Sequence, residues 1–164
     1  MVSPCVLYLA VEGVLLRRTL TPPKRACGEY LSMDSPHVAQ LSALLATEPH
    51  IDIVLTSSWV NIAGFRSVLD LLPESLRRRV VGATIPGNRL LRHRLNGNAG
   101  KSGWLAEDVR RRGPKVATVL ESDARHVPVS LRDEAVIVPK GLWAAEHDDW
   151  SRLRRMLART CRAA

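Results

Sequence analysis

The chain has 164 residues, of which 46% are hydrophobic, and 24 Lys and Arg against 16 Asp and Glu give a net charge of +8. This length suits a single domain with a real core, 1–164, and excludes two ordinary ones. No apolar run approaches the roughly 18–20 residues needed to cross a bilayer, so we expect no membrane partner. The amino terminus lacks a positive n-region, so we expect no signal peptide. The 3 cysteines show no metal spacing and leave one unpaired under any single disulfide, so we expect the reducing environment of the cytoplasm.

Most of the cations are arginines, and they cluster in short runs along the chain. Such a balance attracts phosphates, whether on nucleotides, nucleic acids or anionic surfaces. Arg-rich helix faces that only solvate the surface, as in many high-GC bacterial proteins, are the competing and favoured interpretation. With 1 Phe, 2 Tyr and 4 Trp, the chain has no aromatic stacking platform of the kind that single-strand binders use.

Strands and helices alternate along the sequence, which predicts an α/β fold. The pattern indicates a mainly parallel, Rossmann-like sheet flanked by helices in three layers. The predicted strands are 6–10, 51–55, 79–85, 116–120 and 135–138. The predicted helices run from a cap at Asp34 or Ser35 to about Leu45, and over 59–72, 101–112 and 147–160. The stretch 17–34 is predicted to be a loop or small flap, and 86–100 a polar connection.

The first predicted strand, 6–10, is an apolar run that leads into a tight turn at Glu12 and Gly13. This pattern resembles motif I of the haloacid dehalogenase-like (HAD) phosphohydrolases, hhhhDxDGxh. In that family the first Asp attacks phosphorus and the second is the general acid/base. The corresponding residues here are Ala10 and Glu12. Because a methyl group cannot form an aspartyl-phosphate, the resemblance implies an enzyme's frame that has lost its nucleophile.

The end of the second predicted strand resembles motif II of the same family. Thr56 matches the residue whose hydroxyl holds the transferring phosphoryl group. The resemblance also implies substrate contacts for Ser57, Ser58 and Gly13. A strand that runs into a helix N-terminus presents free amides and a positive dipole to an anion, which fits this role. Simple helix capping is the competing interpretation of the Thr-Ser-Ser sequence.

Two acids after the fourth predicted strand, Glu121 and Asp123, resemble motif IV, in which acids hold Mg²⁺. Such residues lie at the carboxyl edge of the sheet, the usual ligand location in this architecture. In the family the first Asp of motif I is also a Mg²⁺ ligand. With Ala10 in its place, we expect Mg²⁺ to bind weakly or not at all, because the ion demands near-octahedral oxygen coordination.

Motif III of the family requires a cation that offsets the charge of the nucleophile and phosphate. Lys101 is the only lysine in this region and is therefore the candidate catalytic cation. In relatives the cation lies about one helical turn further from a similar Trp-Leu pair. That spacing points to Gly97 and leaves Arg92 or Arg94 as possible substitutes for Lys101.

The succession LYLxVxGVL, IVLTSSW, WLA and a closing apolar strand and helix is more specific than HAD proteins in general. It resembles the small group described as the HAD domain of Swiss Army knife RNA repair proteins. This resemblance implies little or no cap and a weak link to RNA.

Three hypotheses of function remain. The favoured one is a catalytically silent HAD-like domain that keeps an anion pocket and binds a phosphorylated small molecule or a protein partner. The second is an active Mg²⁺-dependent phosphohydrolase with an altered nucleophile or direct water attack. The third is a basic module that binds RNA ends or nucleotides. Natural loss and a laboratory Asp→Ala change both account for Ala10, and Glu12 favours natural loss.

Overall fold

The computed structural model describes residues 5–19, 22, 35–84 and 100–162. Within these residues, a five-stranded parallel sheet has the order β3-β2-β1-β4-β5. The α/β, Rossmann-like architecture predicted from the alternating pattern is confirmed. The strands are β1 (Cys5–Leu9), β2 (Ile51–Leu55), β3 (Val80–Ala83), β4 (Val116–Glu121) and β5 (Ala135–Ile137).

The central strand β1 is buried along its whole length. Its near-continuous apolar sequence is typical of a parallel strand that is covered on both faces. Both neighbouring strands align with it, so that Leu9 lies opposite Leu55 and Leu120. The three strands therefore reach the same edge of the sheet. Ala10 and Thr56, which follow β1 and β2, lie at this edge together with Glu121, the last residue of β4.

Helices cover both faces of the sheet. One face of β1 packs into the larger buried cluster together with α1, α2, α3 and α6, whereas the other face packs on α5 and on the 3₁₀ segment that precedes β5. Among the described residues, no helix has the length and apolar character that a membrane span requires. The helices are α1 (Pro36–Ala46), α2 (Trp59–Ala63), α3 (Phe65–Leu69), α4 (Glu74–Arg77), α5 (Lys101–Arg112) and α6 (His147–Arg162).

The sequence prediction was wrong for the helix after β2. The predicted helix over 59–72 is two short helices, because Gly64 between α2 and α3 has a φ of 90°, which interrupts the helical conformation. Ile62, in the last turn of α2 before this break, is 56% exposed. The strands differ from their predicted limits only at their ends. Most of the predicted flap 17–34 and of the connection 86–100 lies outside the described residues.

A buried carboxylate ties α5 to the centre of the sheet. Asp108 accepts hydrogen bonds from the hydroxyl of Tyr8 at 3.1 Å and from Arg111 and Arg112 at 2.6 Å. Burial and the neighbouring carboxylate both raise the pKa of Tyr8, so the phenol stays protonated and remains a donor. The network therefore satisfies a polar pair that is buried between strand and helix.

Replacing Asp108 by alanine should lower the free energy of unfolding by about 2–3 kcal/mol, because the buried hydroxyl of Tyr8 loses its acceptor and two arginines lose their counter-charge. The matched variant Tyr8→Phe removes a single neutral donor and should cost about 1 kcal/mol. Urea denaturation of both variants measures the difference. Equal losses in the two variants would show that the carboxylate is not the centre of the network.

Candidate functional site

The turn after β1 brings Glu12 to the carboxyl edge of the sheet, where its side chain is buried. Gly13 follows with a φ of 83°, in a region that favours glycine. A side chain at Gly13 would also overlap the hydroxyl of Ser122, so glycine permits the close approach to the end of β4. The turn is closed by the N–H of Leu16, which donates to the carbonyl of Val11 at 3.0 Å.

The carboxylate of Glu12 is bound by donors from β2's end and from α5. Ser58 donates its backbone N–H at 2.6 Å and its hydroxyl at 2.7 Å to Oε1. Ser57 donates its hydroxyl to Oε2, and Lys101 Nζ donates to Oε1 at 3.2 Å. The sequence predicted these serines as contacts of a phosphoryl group. Here they bind an anionic group that belongs to the chain itself.

Lys101 lies between two buried carboxylates. Its Nζ is 3.2 Å from Oε1 of Glu12 and 3.2 Å from Oε2 of Glu121, and its side chain is only 10% exposed. One positive charge therefore faces two negative charges with little access to water. The first residue of α5 supplies this charge. The alternative positions Gly97, Arg92 and Arg94 lie outside the described residues.

Several neighbours keep Glu121 ionised. Burial by itself would raise the pKa of this carboxyl group, but the imidazole of His126, the ammonium of Lys101 and the N–H of Ser122 together lower it. The N–H of Ser122 donates to Oε1 at 2.8 Å. Nδ1 of His126 lies 3.6 Å from the same oxygen, which is too far for a hydrogen bond.

Two predicted site residues do not join this cluster of charges. The carboxylate of Asp123 accepts hydrogen bonds from the guanidinium of Arg125 at 2.7 Å and from its backbone N–H at 2.9 Å. The side chain and backbone of Arg125 hold the pKa of Asp123 well below its usual range. Thr56 is buried, and its hydroxyl has no hydrogen-bond partner among the described residues. Unlike the two serines that follow it, Thr56 does not bind Glu12.

The side chains at this edge do not fit a Mg²⁺ ion, which prefers a near-octahedral shell of oxygens. Ala10 supplies no oxygen, and Asp123 is turned to a guanidinium. The nitrogen of Lys101 takes the position of a cation between Glu12 and Glu121. In the part of the chain that the structure describes, no three acidic, His or Cys side chains form a possible metal site. The chain's own ammonium thus supplies the positive charge at this edge.

Two open pockets border the cluster of charges. The first, of about 550 Å³, is lined by Glu12, Arg18, Thr19, Ser58, Lys101 and His126. The second, of about 760 Å³, is called the basic groove below, and its lining includes Arg17, Arg18, Ser122, Asp123, Lys140 and Trp143. Arg18 borders both pockets, and its guanidinium donates to the hydroxyl of Ser122 at 3.2 Å.

Sequence reasoning missed several residues of these pockets, notably Arg18, His126 and Trp143. Arg18 follows the turn after β1, and His126 lies shortly after β4. Their positions beyond the carboxyl ends of strands were an available signal, because ligands bind at that edge in open α/β sheets. No sequence signal marks Trp143. It follows β5 in the chain and lies at the groove only because of the tertiary fold.

Comparisons with known proteins give the family of the chain. Neither the curated proteins nor the solved structures gave a match. The family described as "HAD domain in Swiss Army Knife RNA repair proteins" matches residues 6–141, a range that contains Glu12, Lys101 and Glu121. The resemblance predicted from the sequence is thereby confirmed: the chain belongs to the family of HAD domains in Swiss Army Knife RNA repair proteins.

Proposed function

We propose that this domain is a catalytically silent HAD domain that binds a phosphorylated ligand. The observation that carries the proposal is the pair of residues at positions 10 and 12. Ala10 is fully buried and ends in a methyl group, so it has no atom that can attack phosphorus. Both oxygens of Glu12 are engaged by Ser57, Ser58 and Lys101. A general acid/base must reach a proton of the substrate, and these contacts oppose that role.

The size of these losses argues against an active phosphohydrolase. Removing a covalent nucleophile typically costs several orders of magnitude in rate, on the order of 10⁴ or more. The longer side chain of Glu12 displaces a carboxyl group, and a misplacement of about 1 Å can cost roughly 10²-fold. Direct attack by water needs a free base near phosphorus, whereas Glu12 and Glu121 are both paired with Lys101.

The basic groove supports the binding half of the proposal. Arg17, Arg18 and Lys140 line it, and none of them forms an ion pair with a carboxylate within the described ranges. The groove's acid, Asp123, is neutralised by Arg125. Unpaired cations around a concave surface raise the local concentration of an anion such as phosphate. The description of the family names RNA repair, which also favours a ligand that carries phosphate.

The unmodified protein should hydrolyse an aryl phosphate no faster with Mg²⁺ than without it, since it lacks the nucleophile. The double variant Ala10→Asp, Glu12→Asp restores the acids of motif I. We expect Mg²⁺ to raise its melting temperature, because the added buried carboxylate needs a counter-charge and bound ligands stabilise the native state. Its turnover should remain low, because the ammonium of Lys101 still pairs with Glu121, the candidate metal ligand at the end of β4. Phosphate release and thermal melts with and without Mg²⁺ measure both effects.

The matched control for this pair is Ala10→Asn, Glu12→Asp, which has nearly the same shape and lacks the charge at position 10. Mg²⁺ should leave its melting temperature almost unchanged. Mg²⁺-dependent turnover by the unmodified protein would overturn the silent assignment. High turnover by the Asp double variant alone would mean that the rest of the site is intact.

Lys101→Met should lower the free energy of unfolding by about 3 kcal/mol near neutral pH, because two buried carboxylates lose their shared cation. Lys101 helps to lower the pKa of Glu121, so that pKa rises in the variant. A carboxyl group whose pKa is raised by folding destabilises the protein above that pKa. The loss should therefore be largest near pH 7 and smaller near pH 5, as urea denaturation at both pH values would measure.

Lys101→Arg keeps the positive charge and serves as the control, with a loss that depends little on pH. Mg²⁺ should recover part of the stability of Lys101→Met and have no such effect on the unmodified protein. An equal loss at both pH values would mean that Lys101 stabilises the edge by packing and not by its charge.

A further inference from the structure

Trp143 is an aromatic ring that the fold holds at the border of the basic groove. It lies in a 3₁₀ turn, Leu142–Ala144, directly after Gly141. The ring packs so closely on Gly141 that a Cβ there would overlap three of its carbons. It also meets the ring of His37 edge-on, with centroids 6.0 Å apart at 73°. The indole is therefore held by two contacts, yet Trp143 is 41% exposed.

The exposure of Trp143 is informative because of the residues that surround it. A single exposed hydrophobic side chain needs no explanation by itself. Trp143, however, lines the same groove as Arg17, Arg18 and Lys140. The groove's volume of about 760 Å³ falls within the range of small-molecule sites, about 300–1,000 Å³. An apolar ring and three cations thus share one space of ligand size.

The cations of the groove are available to a ligand, in contrast to the donors of the inner site. Ser57, Ser58 and Lys101 already bind the carboxylate of Glu12. Arg18 borders both pockets and is oriented by its hydrogen bond to the hydroxyl of Ser122. A phosphate bound by Arg18 would therefore lie at the mouth of the inner site and leave Glu12 in its position.

We propose that the basic groove binds a nucleotide, with its base on Trp143 and its phosphate on Arg17, Arg18 and Lys140. This inference rests on the proposed binding of a phosphorylated ligand and names the chemical class of that ligand. Stacking on one ring accepts any base, because every base has a π-face. The shared chemistry is a nucleoside monophosphate unit, either free or at the end of an RNA strand. The sequence excluded a platform for successive bases, and a single ring serves a single base.

Calorimetric titrations at low salt test the inference with adenosine 5′-monophosphate, ribose 5-phosphate and inorganic phosphate. The nucleotide should bind about tenfold more tightly than ribose 5-phosphate, since stacking adds to the phosphate contacts. Trp143→Leu should abolish this difference and leave the affinity for ribose 5-phosphate unchanged. Trp143→Phe keeps an aromatic ring and should retain most of the difference in affinity. Ile62→Ala, which changes an exposed apolar residue of α2 outside the groove lining, is the matched control and should have no effect.

The possible failures are distinguishable. If ribose 5-phosphate binds as tightly as the nucleotide, and Arg18→Gln weakens both, the nucleotide assignment falls while the binding of a phosphorylated ligand stands. If none of the phosphates binds, both assignments fall at this groove, and the hydrolysis assay still decides whether the domain is silent. If Trp143→Leu does not fold, quenching of tryptophan fluorescence by the nucleotide but not by ribose 5-phosphate supports stacking, and its absence overturns it.

A 5′-phosphorylated tetraribonucleotide separates the two sources of the ligand. Binding about tenfold tighter than the free nucleotide would support the end of an RNA strand, because further phosphates contact cations outside the groove. Equal affinity would support a free nucleotide. Binding of the oligonucleotide that persists unchanged in both Trp143→Leu and Arg18→Gln would overturn the groove as the site.

Discussion

One ammonium group, that of Lys101, lies 3.2 Å from each of two buried carboxylates, and the carboxyl edge of the sheet depends on these contacts. Glu12 follows β1 and Glu121 ends β4, so two like charges stand at the ends of adjacent strands. Without a cation between them, repulsion and burial would drive protons onto them. Glu12 also binds Ser58 at the start of α2. A small set of charges therefore connects β1, β2, β4 and α5 at one end of the molecule.

The length of the side chain at residue 12 explains why the hydrogen-bond donors at this edge already have an acceptor within the chain. Glutamate carries its oxygens about one bond length further from the backbone than aspartate does. At this reach the carboxylate of Glu12 meets the amide and hydroxyl of Ser58 and the hydroxyl of Ser57. The inner site is thereby satisfied from within the chain. Cations without an ion-pair partner among the described residues, such as Arg18, lie outside it, and there we propose that the ligand binds.

The sequence predicted most of the fold because the periodicity of apolar residues is a local property. The buried run of β1 and the helix that begins at Lys101 are examples. The break at Gly64 was missed, because the apolar spacing continues through it while its φ of 90° depends on the packed structure. The site was predicted in part. Parallel strands end at one edge of the sheet, which brings Glu12 and Glu121 together. The orientation of α5, which places Lys101 between them, depends on the packed structure.

By itself, the sequence determined the family frame, the methyl side chain of Ala10 after the first strand and the acids and hydroxyls that follow the strands. These depend on residue identity and order alone. Only the tertiary structure decided which atoms pair. Lys101 reaches Glu12 from 89 residues away, Asp123 turns to Arg125 instead of the cluster, and Trp143 meets the basic groove. Each of these contacts depends on distances between elements that local sequence patterns do not specify.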